Sequence, residues 1–150
     1  MKGRLRRVMR DRAAPAVLAA FVPFGAVACG AAYPGEPATA NVTMVDYHFS
    51  APATVAVGRV VFDVVNHGQH PHELVLVPLP ADFPPLNQQL HSNTRRALPT
   101  VAVLPQLPPG GSGTLAVDLA AGRYGIISFV EGSDGSVDAL RGMNAEIRAQ

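Results

Sequence analysis

The sequence predicts an all-β sandwich, and three observations predict it. From Asn41 onward the punctuation comes from Pro and Gly. The runs between are short and rich in Val, Ile, Phe and Tyr, residue types that suit a pleated, half-buried surface. About seven such runs fit into the chain, a number that suits two packed sheets.

The strands are expected at 42–49, 54–57, 60–66, 72–77, 113–118, 123–130 and 145–148. The run at 59–65 places Val60, Phe62 and Val64 on one face and Val61, Asp63 and Val65 on the other. With one face fully apolar and the second nearly so, it belongs in the interior of a sheet. Met44 is expected to face the core. Pro109-Gly110-Gly111 predicts a turn before the strand at 113. The segment 79–107 breaks the pattern: it carries Pro80, Pro84, Pro85, Pro99 and Pro105, and its helix-compatible window is 86–97, where Leu86, Leu90 and Ala97 fall at roughly helical spacing. One short helix in a long loop is expected there. So long a connection either crosses between sheets or carries a binding surface.

The N-terminal region has a different composition. Residues 1–12 hold Lys2, Arg4, Arg6, Arg7, Arg10 and Arg12 against Asp11, and 13–29 follow without a charge. A basic stretch before an apolar one reads as a secretory signal, spanning 1–29. A transmembrane anchor is the rival, since the 17 uncharged residues approach the roughly 20 that span a bilayer. Pro15, Pro23 and the small-residue exit Ala26-Val27-Ala28-Cys29 favour cleavage. Cys29 is the only cysteine, so no intrachain disulfide can form. The exit resembles a bacterial lipobox, which implies lipid attachment at Cys29 and a membrane partner, with 30–40 as a flexible tether to a domain at 41–150. The alternative is an incidental Cys in a discarded peptide. An extracytoplasmic location in a bacterial envelope or periplasm follows from either reading.

From Cys29 onward six Arg face ten Asp and Glu, a formal charge near −4 against +1 for the whole chain. The basic character belongs to the leader, and nucleic acid is therefore not an expected partner. Nor does the sequence contain a nucleophile elbow, a Gly-rich loop before a helix or a grouped set of acids, so no enzyme is expected.

The ordered set VTMVDYHFS with Pro52, VVFDVVNHG, HELVLVPL, PGGSGTLAVDLAAGRY and DGSVDALRGM resembles the cupredoxin family, across about 42–148. The resemblance implies a cupredoxin-like Greek-key β-sandwich with a metal site at one end. Carried over residue by residue, it puts His72 at the first copper-ligating His and Met143 at the weak axial Met. Ser128 stands where the family has its Cys, and Asp138 where it has its second His. Both replacements fall on strong ligands. A Ser hydroxyl is a weak neutral donor in place of the thiolate on which type I copper depends, so type I copper is not expected.

Other metal binding stays open. Asp138 is either a metal-binding carboxylate or a solvated loop acid beside Asp134. His67, His70 and His72 crowd one short stretch, and Pro71 keeps His70 out of helical geometry, so His70 and His72 are either a chelating pair or loop residues with ordinary hydrogen bonds. Met143 is alternatively an apolar plug. Asn66, at a strand end, is expected to hold the adjacent loop by side-chain hydrogen bonds. His48 and His91 are assigned surface or packing roles. The first functional expectation is thus a secreted or lipid-anchored binding or structural module of the envelope, partnered by an unidentified envelope protein and lacking a type I copper site. The second is a copper carrier or sensor built on His72, Met143 and the neighbouring His and Asp; the third is an electron-transfer protein.

Overall fold

A computed structural model describes residues 35–150. Among these residues nine strands form two mixed sheets. The first has the order β2-β1-β4-β7, built from β1 (Ala38–Val45), β2 (His48–Ser50), β4 (Gly58–Asn66) and β7 (Ser112–Leu119). The second has the order β3-β9-β8-β5-β6, built from β3 (Thr54–Val55), β5 (His72–Leu79), β6 (Ala102–Leu107), β8 (Gly122–Ile127) and β9 (Asn144–Ala149). β1 runs parallel to β4, and β3 to β9; the other pairs are antiparallel.

The sandwich closes because both sheets turn apolar side chains inward onto one shared core. On β4, Val60, Phe62 and Val64 are buried while Val61, Asp63 and Val65 are half-buried, and the strand lies between β1 and β7 as its pattern requires. Across from it, Leu74, Leu76 and Ile126 are fully buried in the same cluster, each contributing about 1.5–3 kcal/mol of apolar burial. The other face of β5 is also covered. Val75 and Val77 pack with Phe83, Leu86, Leu90 and Ile127 in a second, smaller cluster on the outside of the sheet.

Several boundaries differ from the sequence expectation. The run expected at 42–49 is a hairpin with a two-residue turn, Asp46-Tyr47, because Val45 pairs with His48. β1 starts at Ala38, so the last residues assigned to the tether are strand; the leader and Cys29 lie outside the described residues. The loop at 79–107 ends in a strand, β6. Its Pro105 is compatible with pairing because β6 is the edge of its sheet, where a missing N–H faces no partner. The helix α1 is shorter than the window, Leu86–Leu90. Ser92 stops it: its hydroxyl accepts the Thr94 N–H at 3.1 Å, and the Gln89 side chain donates to the Thr94 carbonyl at 3.1 Å, so local side-chain bonds replace the next helical turn.

Asn66 does what its position predicted. Fully buried, it donates from Nδ2 to the carbonyls of His70 (2.8 Å) and Leu107 (2.9 Å), and its Oδ1 accepts the Gly68 N–H at 2.9 Å. It thereby ties the 67–71 loop to the end of β6. Substituting Asn66→Ala is expected to destabilise the fold by about 2–4 kcal/mol, because three bonds are lost and buried backbone groups are left without partners. Urea denaturation checks this.

Candidate functional site

Four chain segments meet at one end of the sandwich: the Asp46-Tyr47 turn, the start of β5, Ser128 just after β8, and the 131–143 loop. Backbone bonds fix the last of these. The Asp138 N–H donates to the Val130 carbonyl (2.9 Å), the Met143 N–H to the Asp138 carbonyl (3.0 Å), and the Ser128 N–H to the Met143 carbonyl (3.1 Å). A single 3-10 turn, Asp138–Arg141, ends at Gly142 with φ 110°, where a Cβ would also approach the Tyr47 carbonyl oxygen to 3.3 Å. Glycine is therefore required to bring Met143 back beneath Ser128.

These constraints bring His72, Ser128, Asp138 and Met143 together, all buried. Asp138 Oδ2 lies 2.7 Å from His72 Nδ1 and accepts the Ser128 hydroxyl at 2.9 Å. The Ser128 oxygen in turn accepts the Glu73 N–H at 3.3 Å. On the opposite edge of the imidazole, His72 Nε2 lies 3.1 Å from Asp46 Oδ1. The solvated-acid reading of Asp138 is thus corrected: the residue is 4 % exposed and bonded inward, held there by the 3-10 turn that starts at it, whereas Asp134 is the exposed acid and pairs with Arg141.

Both ring nitrogens of His72 face carboxylate oxygens. A neutral imidazole carries one N–H, so satisfying both contacts requires one further proton within the Asp46–His72–Asp138 bridge. Asp46 is the better-solvated end. Burial alone would raise its carboxyl, but hydrogen bonds from His72, from the backbone N–H groups of Gln69 and His70, and from the His70 ring together outweigh that and hold it below the usual carboxylate range. A lowered folded-state value means a stabilisation fully present above the unfolded value of about 3.9 and lost as pH falls through the lower folded one. Asp46→Asn is accordingly expected to cost about 1–3 kcal/mol at pH 7. That difference should shrink below about pH 4 in urea midpoints compared across pH.

The remaining histidines separate. His70 is exposed; its ring stacks on Tyr47 at 6.2 Å and its Nδ1 lies 3.3 Å from Asp46 Oδ2. It touches the site only at its solvent side, through that shared carboxylate and the Tyr47 ring. His67 is exposed, His48 likewise, and His91 bridges the Asn87 and Leu140 carbonyls at 2.9 and 3.2 Å. Among the described residues, no group of three or more His, Cys, Asp or Glu side chains is arranged to hold a metal ion. Asp46 and Asp138 approach opposite edges of the His72 ring, so their oxygens and its nitrogens do not converge on one point. Met143, fully buried, is part of the main core.

Asp46, Tyr47 and Arg141 belong to this site although the sequence reading passed over them. Tyr47 takes φ 63°, rare for an aromatic residue, and so presents its ring edge to His72 at a centroid distance of 6.3 Å. The Arg141 guanidinium lies over the face of the Tyr47 ring at 4.7 Å and bonds both the Tyr47 hydroxyl and Asp134. One signal was available. Buried Val42 and Met44 are even-numbered and buried Phe49 odd, a change of parity that a single strand cannot accommodate.

No family model and no curated protein matches the chain. Solved structures do match. Reduced auracyanin from Roseiflexus castenholzii is 18 % identical with a TM-score of 0.54, over 77 % of this chain and 99 % of that one. Auracyanin A, a "blue" copper protein from Chloroflexus aurantiacus, is 18 % identical with a TM-score of 0.52, over 77 % and 100 %. Rusticyanin from Thiobacillus ferrooxidans is 18 % identical with a TM-score of 0.54, over 79 % and 80 %. The sandwich, with its short helix and the site at one end, thus has the cupredoxin-like fold.

Proposed function

We propose that the protein is an extracytoplasmic cupredoxin-fold module, held to the envelope through a lipidated Cys29, that binds or braces an envelope partner without a type I copper centre. One observation carries this reading. A single carboxylate oxygen, Asp138 Oδ2, stands within 2.9 Å of both His72 Nδ1 and the Ser128 hydroxyl, so the space between the two residues that the resemblance matches to the family's first His and its Cys is filled by a side chain of the protein itself. The donor set agrees with it: one imidazole already engaged at both nitrogens, a neutral hydroxyl, a carboxylate and a buried thioether, with no thiolate, do not fit blue copper. No buried side-chain nitrogen or oxygen among the described residues lacks a partner that a metal would supply.

The same geometry argues against a hydrolase. Ser128 donates to the carboxylate rather than to the imidazole, and all three groups are closed to substrate. Among the described residues no helix is long and apolar enough to cross a membrane.

Copper titration of the purified protein, followed by calorimetry, absorption and electron paramagnetic resonance, tests the proposal. We expect no intense thiolate band and no stoichiometric uptake that depends on His72. A one-to-one Cu(II) site with a normal, non-blue spectrum, abolished by His72→Ala, would establish the carrier reading instead.

A further inference from the structure

The second apolar cluster, on the outer face of the β3-β9-β8-β5-β6 sheet, is not closed. Between that sheet, α1 and the 95–100 segment lies a cavity of about 240 Å³, its walls formed by Val75, Val77, Leu86, Leu90 and Ile127. Its rim is apolar on one side, where Phe129 is 47 % exposed, and cationic on another, where Arg95 and Arg96 line it. The two arginines are not equivalent. Arg96 is committed, bonded to Asp82 at 3.0 Å with its guanidinium 5.4 Å from the Phe83 ring centre. Arg95 uses its Nε on the Ser92 carbonyl at 3.3 Å, and among the described residues its guanidinium has no carboxylate partner.

We propose that this cavity binds a small amphipathic carboxylate, with the alkyl tail against Val75, Val77 and Ile127 and the carboxylate on Arg95. The apolar walls select a hydrocarbon, and the uncommitted cation at the rim selects an anion as its head. Size narrows the choice. The cavity falls short of the roughly 300 Å³ at which drug-sized pockets begin. A short alkyl chain such as that of octanoate is therefore of suitable size. This site lies on the outer face of β5, so it stands or falls independently of the chemistry at His72.

Calorimetry of the full-length protein with sodium octanoate is the test. One-to-one binding is expected, with hexanoate weaker on the order of tenfold for its two missing methylenes. Arg95→Glu, at an exposed position, should weaken octanoate about tenfold or more. Thr100→Trp, which adds an indole at the exposed mouth, should abolish binding while circular dichroism reports an unchanged fold. Absence of octanoate binding, equal binding of octylammonium, or unchanged affinity in folded Arg95→Glu would overturn the proposal. So would a concentration-dependent dimer that Thr100→Trp disperses, because a second copy would then be what covers the cavity.

Discussion

Replacing His72 with alanine is expected to lower the unfolding free energy by about 3–5 kcal/mol, seen as a fall in the urea midpoint at an unchanged slope. The size of the effect comes from what remains. Asp138 keeps only the Ser128 hydroxyl among its side-chain bonds, so a carboxyl group 4 % exposed loses its closest hydrogen-bond partner. Asp46, about a quarter exposed, loses one of its donors but retains the Gln69 and His70 N–H groups, and contributes less. Adding Asp138→Ala to His72→Ala should therefore be less destabilising than the two single losses combined, by about 1–3 kcal/mol of coupling. Strict additivity, or a loss under about 1 kcal/mol for His72→Ala, would mean that the bridge is not a charged unit.

Much of the fold was legible because its strands are short apolar runs punctuated by Pro and Gly. β4 reads directly, with Val60, Phe62 and Val64 inward, whereas Leu74 to Val77 in β5 and Tyr124 to Ile127 in β8 are buried on both faces. β6 was hidden by Pro105, which argues against a strand in general but not against one at a sheet edge. At the site, the family resemblance located His72, Ser128, Asp138 and Met143, the four residues that the fold does bring together. It could not locate Asp46. That residue lies 26 positions before His72 in a stretch resembling continuous strand, and its role depends on a turn held open by an unusual φ at Tyr47. The burial of Asp138 was likewise invisible, because a loop acid followed by Ala-Leu-Arg-Gly shows nothing of the 3-10 turn that points it inward.

Placing Cys and His at the two positions that the resemblance matches to the family's ligands is expected to change the protein's chemistry more than any single loss. In Ser128→Cys with Asp138→His, the carboxylate that stands between His72 and position 128 is removed, and a thiolate and a second imidazole stand beside His72 and Met143. Cu(II) should then bind and give an intense blue thiolate band, with either single variant giving none. The surroundings favour this outcome. His72 would free Nδ1 for the metal while Nε2 keeps Asp46, 3.1 Å away, as the carboxylate that orients a ligating imidazole. Gly142 and the Ser128–Met143 backbone bond, 3.1 Å, depend on neither substituted side chain, so the loop that sets the spacing should persist. Asp46→Asn in the same background should weaken copper about 10- to 100-fold if that orienting role is real. A double variant that folds but takes up no copper would show that Ser128 and Asp138 do not occupy the positions of the missing Cys and His.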